Sequence, residues 1–188
     1  VGFEAYDAPE ARQALVEAGV LVRKGADPSA DFEPEYIAAT DETAYVTLQE
    51  ANAIAVLDLN SLTFTGIYSA GFEDYSSTPV DIDKKDGTYA PKTYEGLKGI
   101  RMPDAISLYQ TGGATYLLTA NEGDARQWGE DSNEAEVNFG KQDAQSPAGN
   151  ITQASGLTGK VVFFQTADYD GLQAGTDYLF GGRSFTLY

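Results

Sequence analysis

The stretch Thr47-Leu48-Gln49-Glu50-Ala51-Asn52-Ala53 returns as Thr119-Ala120-Asn121-Glu122-Gly123-Asp124-Ala125, at an offset of 72. Glu is kept, Gln becomes Asn and Asn becomes Asp, so amide and acid follow in the same order. Just upstream, Pro34-Glu35-Tyr36-Ile37 matches Pro103-Asp104-Ala105-Ile106 at an offset of 69. A Pro, an acid and an Ile-bearing strand, then a second strand ending in amide-Glu, make one supersecondary unit used twice. In the first unit, residues 36–40, 43–50, 53–59 and 63–69 are short, β-branched and aromatic. Asp41-Glu42, Ala51-Asn52 and Asn60-Ser61 separate them as turns. Four strands joined by tight turns form an antiparallel meander, and meanders in series are β-propeller blades.

The second unit repeats strands at 104–110 and 114–120, then departs. Residues 127–182 intervene before Arg183-Ser184-Phe185-Thr186-Leu187-Tyr188, and a fourth strand is missing. The sequence therefore predicts a mainly β fold, a partial β-propeller of about two four-stranded antiparallel blades. Blade one covers 34–69, blade two covers 103–126 plus 183–188, and 127–182 is an insertion. Phe185 is expected beside the 114–121 strand. Residues 9–18 predict one short N-terminal helix: Pro9 suits its first turn, Ala, Leu and Glu propagate it, and Gly19 suits its end. Residues 70–101 and 127–159 read as long loops, with strand character returning at 160–166. Rings need about 4–8 blades. The expectation is an excised section of a larger propeller, with the remaining blades of the parent chain as partners. The open strand edge at 183–188 invites self-association.

The 188 residues carry 12 Lys+Arg against 29 Asp+Glu, a net charge of −17. Nucleic acid and anionic membrane surfaces repel such a chain, so neither is expected as a partner. No run is long and apolar enough for membrane insertion. With no Cys and no His, disulfides, thiolate sites, His-ligated zinc and the Ser-His-Asp triad are excluded. Carboxylates, amides, hydroxyls, Lys, Arg and Tyr remain for chemistry.

The repeat itself supplies the first candidate site. Glu33, Glu35, Gln49, Glu50 and Asn52 from unit one, and Asp104, Asn121, Glu122, Asp124 and Arg126 from unit two, stand at strand ends and adjoining turns. Such ends gather on one rim of a blade stack, with Arg183 beside them. Glu35, Glu50, Asp104, Glu122 and Asp124 are the candidate oxygen ligands for Ca²⁺, the one cofactor the sequence offers. The competing reading is structural: Asn and Asp bond the turn backbone, and Arg126 or Arg183 pairs with Glu122. A second candidate is Asp81-Ile82-Asp83-Lys84-Lys85-Asp86-Gly87, where Asp81, Asp83 and Asp86 resemble the start of a calcium loop. Its spacing is one residue too long, and a solvated charged loop accounts for it equally. Asn150-Ile151-Thr152 is a glycosylation pattern, and Trp128 reads as a packing anchor.

The stretches EPEYIA at 33–38, TLQEANAIAVLDL at 47–59, MPDAI at 102–106, TANEGDAR at 119–126 and GGRSFTLY at 181–188 carry a resemblance. From about Phe3 to Tyr188 the chain resembles the choice-of-anchor I proteins, which include mesenchyme-specific cell-surface glycoproteins and bacterial members labelled alkaline phosphatase-like. The resemblance implies a section of a secreted or surface-anchored propeller, extracellular or periplasmic. It carries over no catalytic residue. Thr166-Ala167-Asp168-Tyr169-Asp170-Gly171 departs from the more acidic, Gly-rich loop of related sequences. Two functions follow: a binding or scaffold module stabilised by calcium, or part of a metal-dependent phosphomonoesterase. The second would need an all-oxygen metal site, because this chain has no His.

Overall fold

In a computed structural model, residues 1–83, 87–128 and 131–188 are described, the side chains of Trp128 and Asp131 excepted. The fold is mainly β and propeller-like, with several antiparallel sheets and two short helices. The first repeat unit forms a four-stranded antiparallel sheet from Ile37–Ala39, Thr43–Leu48, Ala53–Asp58 and Thr63–Ser69, in chain order. Val46 stands opposite Ala55, Leu48 opposite Ala53 and Ala55 opposite Ile67, so these side chains share one face. The N-terminal segment covers that face with Phe3, Leu15, Val20, Val22 and Phe32. Phe3 stacks on Phe64 at 4.3 Å and meets Phe32 edge-on at 5.4 Å. The helix Pro9–Glu17 starts on proline and contributes Leu15, its buried residue. Truncating a buried leucine such as Leu15 or Leu48 to alanine costs about 2–5 kcal/mol.

The second unit forms a three-stranded antiparallel sheet from Ile106–Thr111, Ala114–Asn121 and Ser184–Leu187. Phe185 stands opposite Ala120, as the sequence predicts. The first strands of the two sheets lie in contact, as those of neighbouring propeller blades do. The sheets are tied by Asn52, whose Oδ1 accepts from the Met102 N–H at 2.9 Å, and by the Tyr188 hydroxyl on the Ala70 carbonyl at 3.0 Å.

The strand pairing corrects the sequence alignment by one residue. Ile37 pairs with Val46, and Ile106 with Thr119. The second strands thus correspond at 119 − 46, or 73, one more than the aligned 72. A one-residue slip turns every side chain to the other face. The second strands nevertheless bury matching positions, Thr47 with Thr119 and Gln49 with Asn121, while Glu50 is buried and Glu122 exposed.

The two long loops of the sequence reading are in fact structured. Phe72–Asp74 pairs antiparallel with Leu97–Ile100, which pairs parallel with Asp177–Phe180. Glu134–Asn138 pairs antiparallel with Lys160–Phe164. The two stretches together build a buried cluster containing Tyr75, Ile82, Tyr94, Leu97, Ile151 and Phe163. A second short helix, Pro28–Asp31, and a two-residue ladder of Val22–Arg23 with Tyr169–Asp170 connect the N-terminal segment to the insertion.

The insertion leaves and returns through a narrow neck. A Cβ on Gly123 (φ +82°) would lie 2.0 Å from the Gly181 nitrogen, and one on Gly181 (φ +73°) would lie 1.7 Å from the Glu122 carbonyl oxygen. Only glycine fits both the conformation and the approach. The Gly182 N–H donates to the Asn121 carbonyl at 3.2 Å and closes the neck.

Candidate functional site

The second strand of the first sheet ends at Leu48, and the turn that follows holds Gln49, Glu50 and Asn52. All three are buried. Asn52 adopts φ +54° and uses both ends of its amide, donating to the Gly71 carbonyl at 3.0 Å and accepting from Met102. It is a structural staple. Glu50 is different. It is 7% exposed, and its Oε2 has no hydrogen-bond partner. Its carboxyl is pushed up to about 7, first by burial and then by the negative charges of Glu35 and Glu33, against its own backbone N–H and Arg126. Glu35 is also raised, by desolvation and by Asp104, Glu33 and Asp124.

Glu33 and Glu35 act on Glu50, and Asp104, Glu33 and Asp124 act on Glu35, so these acids make up one acidic rim of coupled charges. Glu33, Glu35 and Asp124 are exposed and Asp104 is half-buried. The extended residues before each first strand position two of them: the Glu35 N–H donates to the Thr47 carbonyl at 3.1 Å, and the Asp104 N–H to the Ala120 carbonyl at 2.9 Å. Among the described residues, no group of three or more carboxylates is spaced as a ready-made metal ligand set.

The remaining candidates divide differently. Asn121 is buried, with its amide on Ser184 at 3.0 Å and Thr186 at 2.8 Å, and it accepts from Thr119 at 3.0 Å. It fixes the third strand of the second sheet. Glu122 is exposed. The cations do not take the partner the sequence suggests. Arg126, buried, pairs with Asp31, lies 3.6 Å from Glu33, and sits 5.9 Å over the Tyr169 ring. Arg183 donates to the Asp81 carbonyl at 2.6 Å. Sequence reasoning missed Asp31, which lies 95 residues from Arg126 and belongs to no repeat.

Asp81 and Asp83 bond backbone. Asp81 accepts from Asp83 at 3.3 Å and Ala90 at 2.9 Å, and Asp83 accepts from Thr158 at 2.8 Å and Gly159 at 3.1 Å. Asp81 closes its own loop, and Asp83 fastens that loop to the insertion. Asp86 lies outside the described residues, as does the Trp128 side chain. Asn150 donates from its amide to the Gly96 carbonyl at 3.1 Å and the Gly175 carbonyl at 2.9 Å, so a glycan on that nitrogen would break a structural bond.

A family model described as the choice-of-anchor I domain matches residues 1–188. No curated protein and no solved structure matches the chain. Among the described residues, no helix is long and apolar enough to cross a membrane.

Proposed function

The chain belongs to the choice-of-anchor I family, and on that premise we propose that it is a binding section of a cell-surface propeller whose acidic rim takes up calcium. The family points to a cell-surface-associated module. The rim supports a ligand-binding role within it. One observation carries the reading: the buried Glu50 carboxylate keeps an oxygen without a partner and feels the negative charges of Glu35 and Glu33. A buried charge in that condition costs free energy until a counter-charge arrives. Ca²⁺ accepts 6–8 oxygens in adaptable geometry, which suits long side chains that can turn inward. Mg²⁺ demands a tighter octahedron and keeps its water, so it fits this loose set less well.

Isothermal calorimetry on the full chain at pH 8 tests the reading. Calcium is expected to bind in the micromolar to millimolar range and magnesium more weakly. Glu50→Gln should remove most of the calcium heat while Glu122→Gln leaves it. Silence of the parent chain at millimolar calcium, or equal binding by Glu50→Gln, overturns it.

A further inference from the structure

In the second sheet Phe185 and Leu187 stand opposite Ala120 and Leu118, and Leu118 and Tyr116 stand opposite Ser107 and Tyr109. Opposed residues point to the same side, so these side chains form one face. Tyr109, Leu118, Phe185 and Leu187 on it are all exposed. Tyr188 alternates to the other face, where its hydroxyl donates to the Ala70 carbonyl at 3.0 Å. The apolar face therefore points away from the first sheet. Residues 106–121 and 184–188 carry no charged side chain, although charged residues make up 22% of the chain. The strand Ser184–Leu187 also lacks Lys and Pro, the residues with which sheet edges are blunted.

Charge and area select the occupant. The chain carries −17, so a second copy is repelled over most of its surface. At this face neither copy brings a charge. Burying Tyr109, Leu118, Phe185 and Leu187 on both copies removes roughly 1,000 Å² from water, because a large aromatic alone accounts for about 150–250 Å². A specific interface begins at that size, and a reversible pair fits it. The far end of the molecule limits how copies can meet. There the apolar face of the first sheet is already covered by Phe3, Leu15, Val20, Val22 and Phe32. With one end capped, copies cannot stack head to tail into a fibre, and the open face can meet only its own like, which closes a twofold pair. We infer that this face is a homodimer interface, in which the uncharged three-stranded sheets of two copies pack face to face.

Sedimentation of the full chain in calcium-free buffer at about 0.15 M salt, where charge repulsion is screened beyond about 8 Å, tests the inference over a concentration series. A monomer–dimer equilibrium in the micromolar range is expected, with no larger species. Phe185→Lys and Leu118→Lys should each weaken it about tenfold or more, although each added lysine lowers the net repulsion. Tyr89→Lys, at an exposed tyrosine outside this sheet, should leave it unchanged. Dilution of the ¹⁵N-labelled unmodified chain gives a second readout that needs no variant: the amide shifts should concentrate in 106–121 and 184–188. A monomer at every concentration, as a face reserved for a further sheet of a longer chain would give, overturns the inference. So do open-ended growth, dilution shifts confined to other residues, and association that both lysines leave unchanged. Calcium binding at the rim is untouched by any of these outcomes, so the two readings fail separately.

Discussion

The two sheets are built from one repeated sequence and end in opposite conditions. The first has four strands, the N-terminal segment on one face and the second sheet beside its first strand. The second has three strands, and one face carries Tyr109, Leu118, Phe185 and Leu187 at 57%, 40%, 77% and 55% exposure. The Leu118 and Leu187 pair and the Phe185 and Ala120 pair put these groups on the same side. The glutamates differ in the same way, Glu50 buried and Glu122 in water. A repeated sequence thus repeats strand order, while the neighbours decide what each copy's side chains experience.

The comparison can be broken most severely at the neck. Gly181→Val places carbon against the Glu122 carbonyl in a left-handed conformation, and we expect a loss of about 4 kcal/mol or more. Gly25→Ala has the same positive φ with nothing near it, and should cost only about 1 kcal/mol. Urea unfolding of both variants separates steric exclusion from backbone strain. Similar losses would mean that the neck is not a close contact.

Next in size is Arg126→Met, which removes the cation from buried Asp31. About 3 kcal/mol should be lost, because buried Asp31 then keeps only Arg23, at 3.8 Å, as its counter-ion. Calorimetric melting reads this directly, and a Tm within a degree of the parent would refute the ion pair's role.

The glutamate pair gives a signed test in metal-free buffer. Glu50 ionises at 4.5 when unfolded and at about 7 when folded. Below pH 4.5 both states hold the proton and nothing is lost. As pH rises from 4.5 to about 7 the unfolded chain releases it first, so stability falls, and the loss is complete above 7. The shift corresponds to about 3 kcal/mol. Glu50→Gln should therefore gain up to about 3 kcal/mol at pH 8 and nothing at pH 4. Glu122→Gln should stay within about 0.5 kcal/mol at both. Equal pH profiles for the two variants would erase the distinction between the copies.

The smallest effect on stability belongs to the bare face. Phe185→Lys should change unfolding by about 0.5 kcal/mol or less, since the ring already lies in water. Its effect on association should be large. We expect the parent chain to self-associate at about 0.15 M salt, where the Debye length of about 8 Å screens its charge, and the lysine variant to scatter as a monomer. A monomeric parent at high concentration removes the expectation.

How much of this was legible follows from where the determining contacts lie. The first sheet was readable because its strands alternate and its turns are local. The return of Phe185 to Ala120 was readable because the repeat supplied a template. The expectation that Glu33, Glu35, Glu50, Asp104 and Asp124 share a rim came from their places at strand ends alone. The different burial of Glu50 and Glu122 was not readable, since their sequence surroundings match. Residues 70–101 were misread because strands as short as Phe72–Asp74 show no period, and Leu97–Ile100 finds its parallel partner far along the chain. Asp31 was missed for the same reason: its role exists only once the N-terminal segment meets the second unit.

The neck also governs the order in which the chain can assemble. The Ser184–Leu187 strand must find its partner across the whole insertion, a contact that loop-closure entropy makes slow. An insertion that first folds against residues 70–101 on their shared buried cluster brings Gly181 back beside Gly123, and the distant pairing becomes a local one. Each doubling of a loop adds only about 0.6 kcal/mol to its closure. Lengthening an exposed loop of the insertion should then leave the sheet in place, provided both glycines remain, whereas replacing the whole insertion would strip Tyr75, Tyr94 and Leu97 of their buried partners.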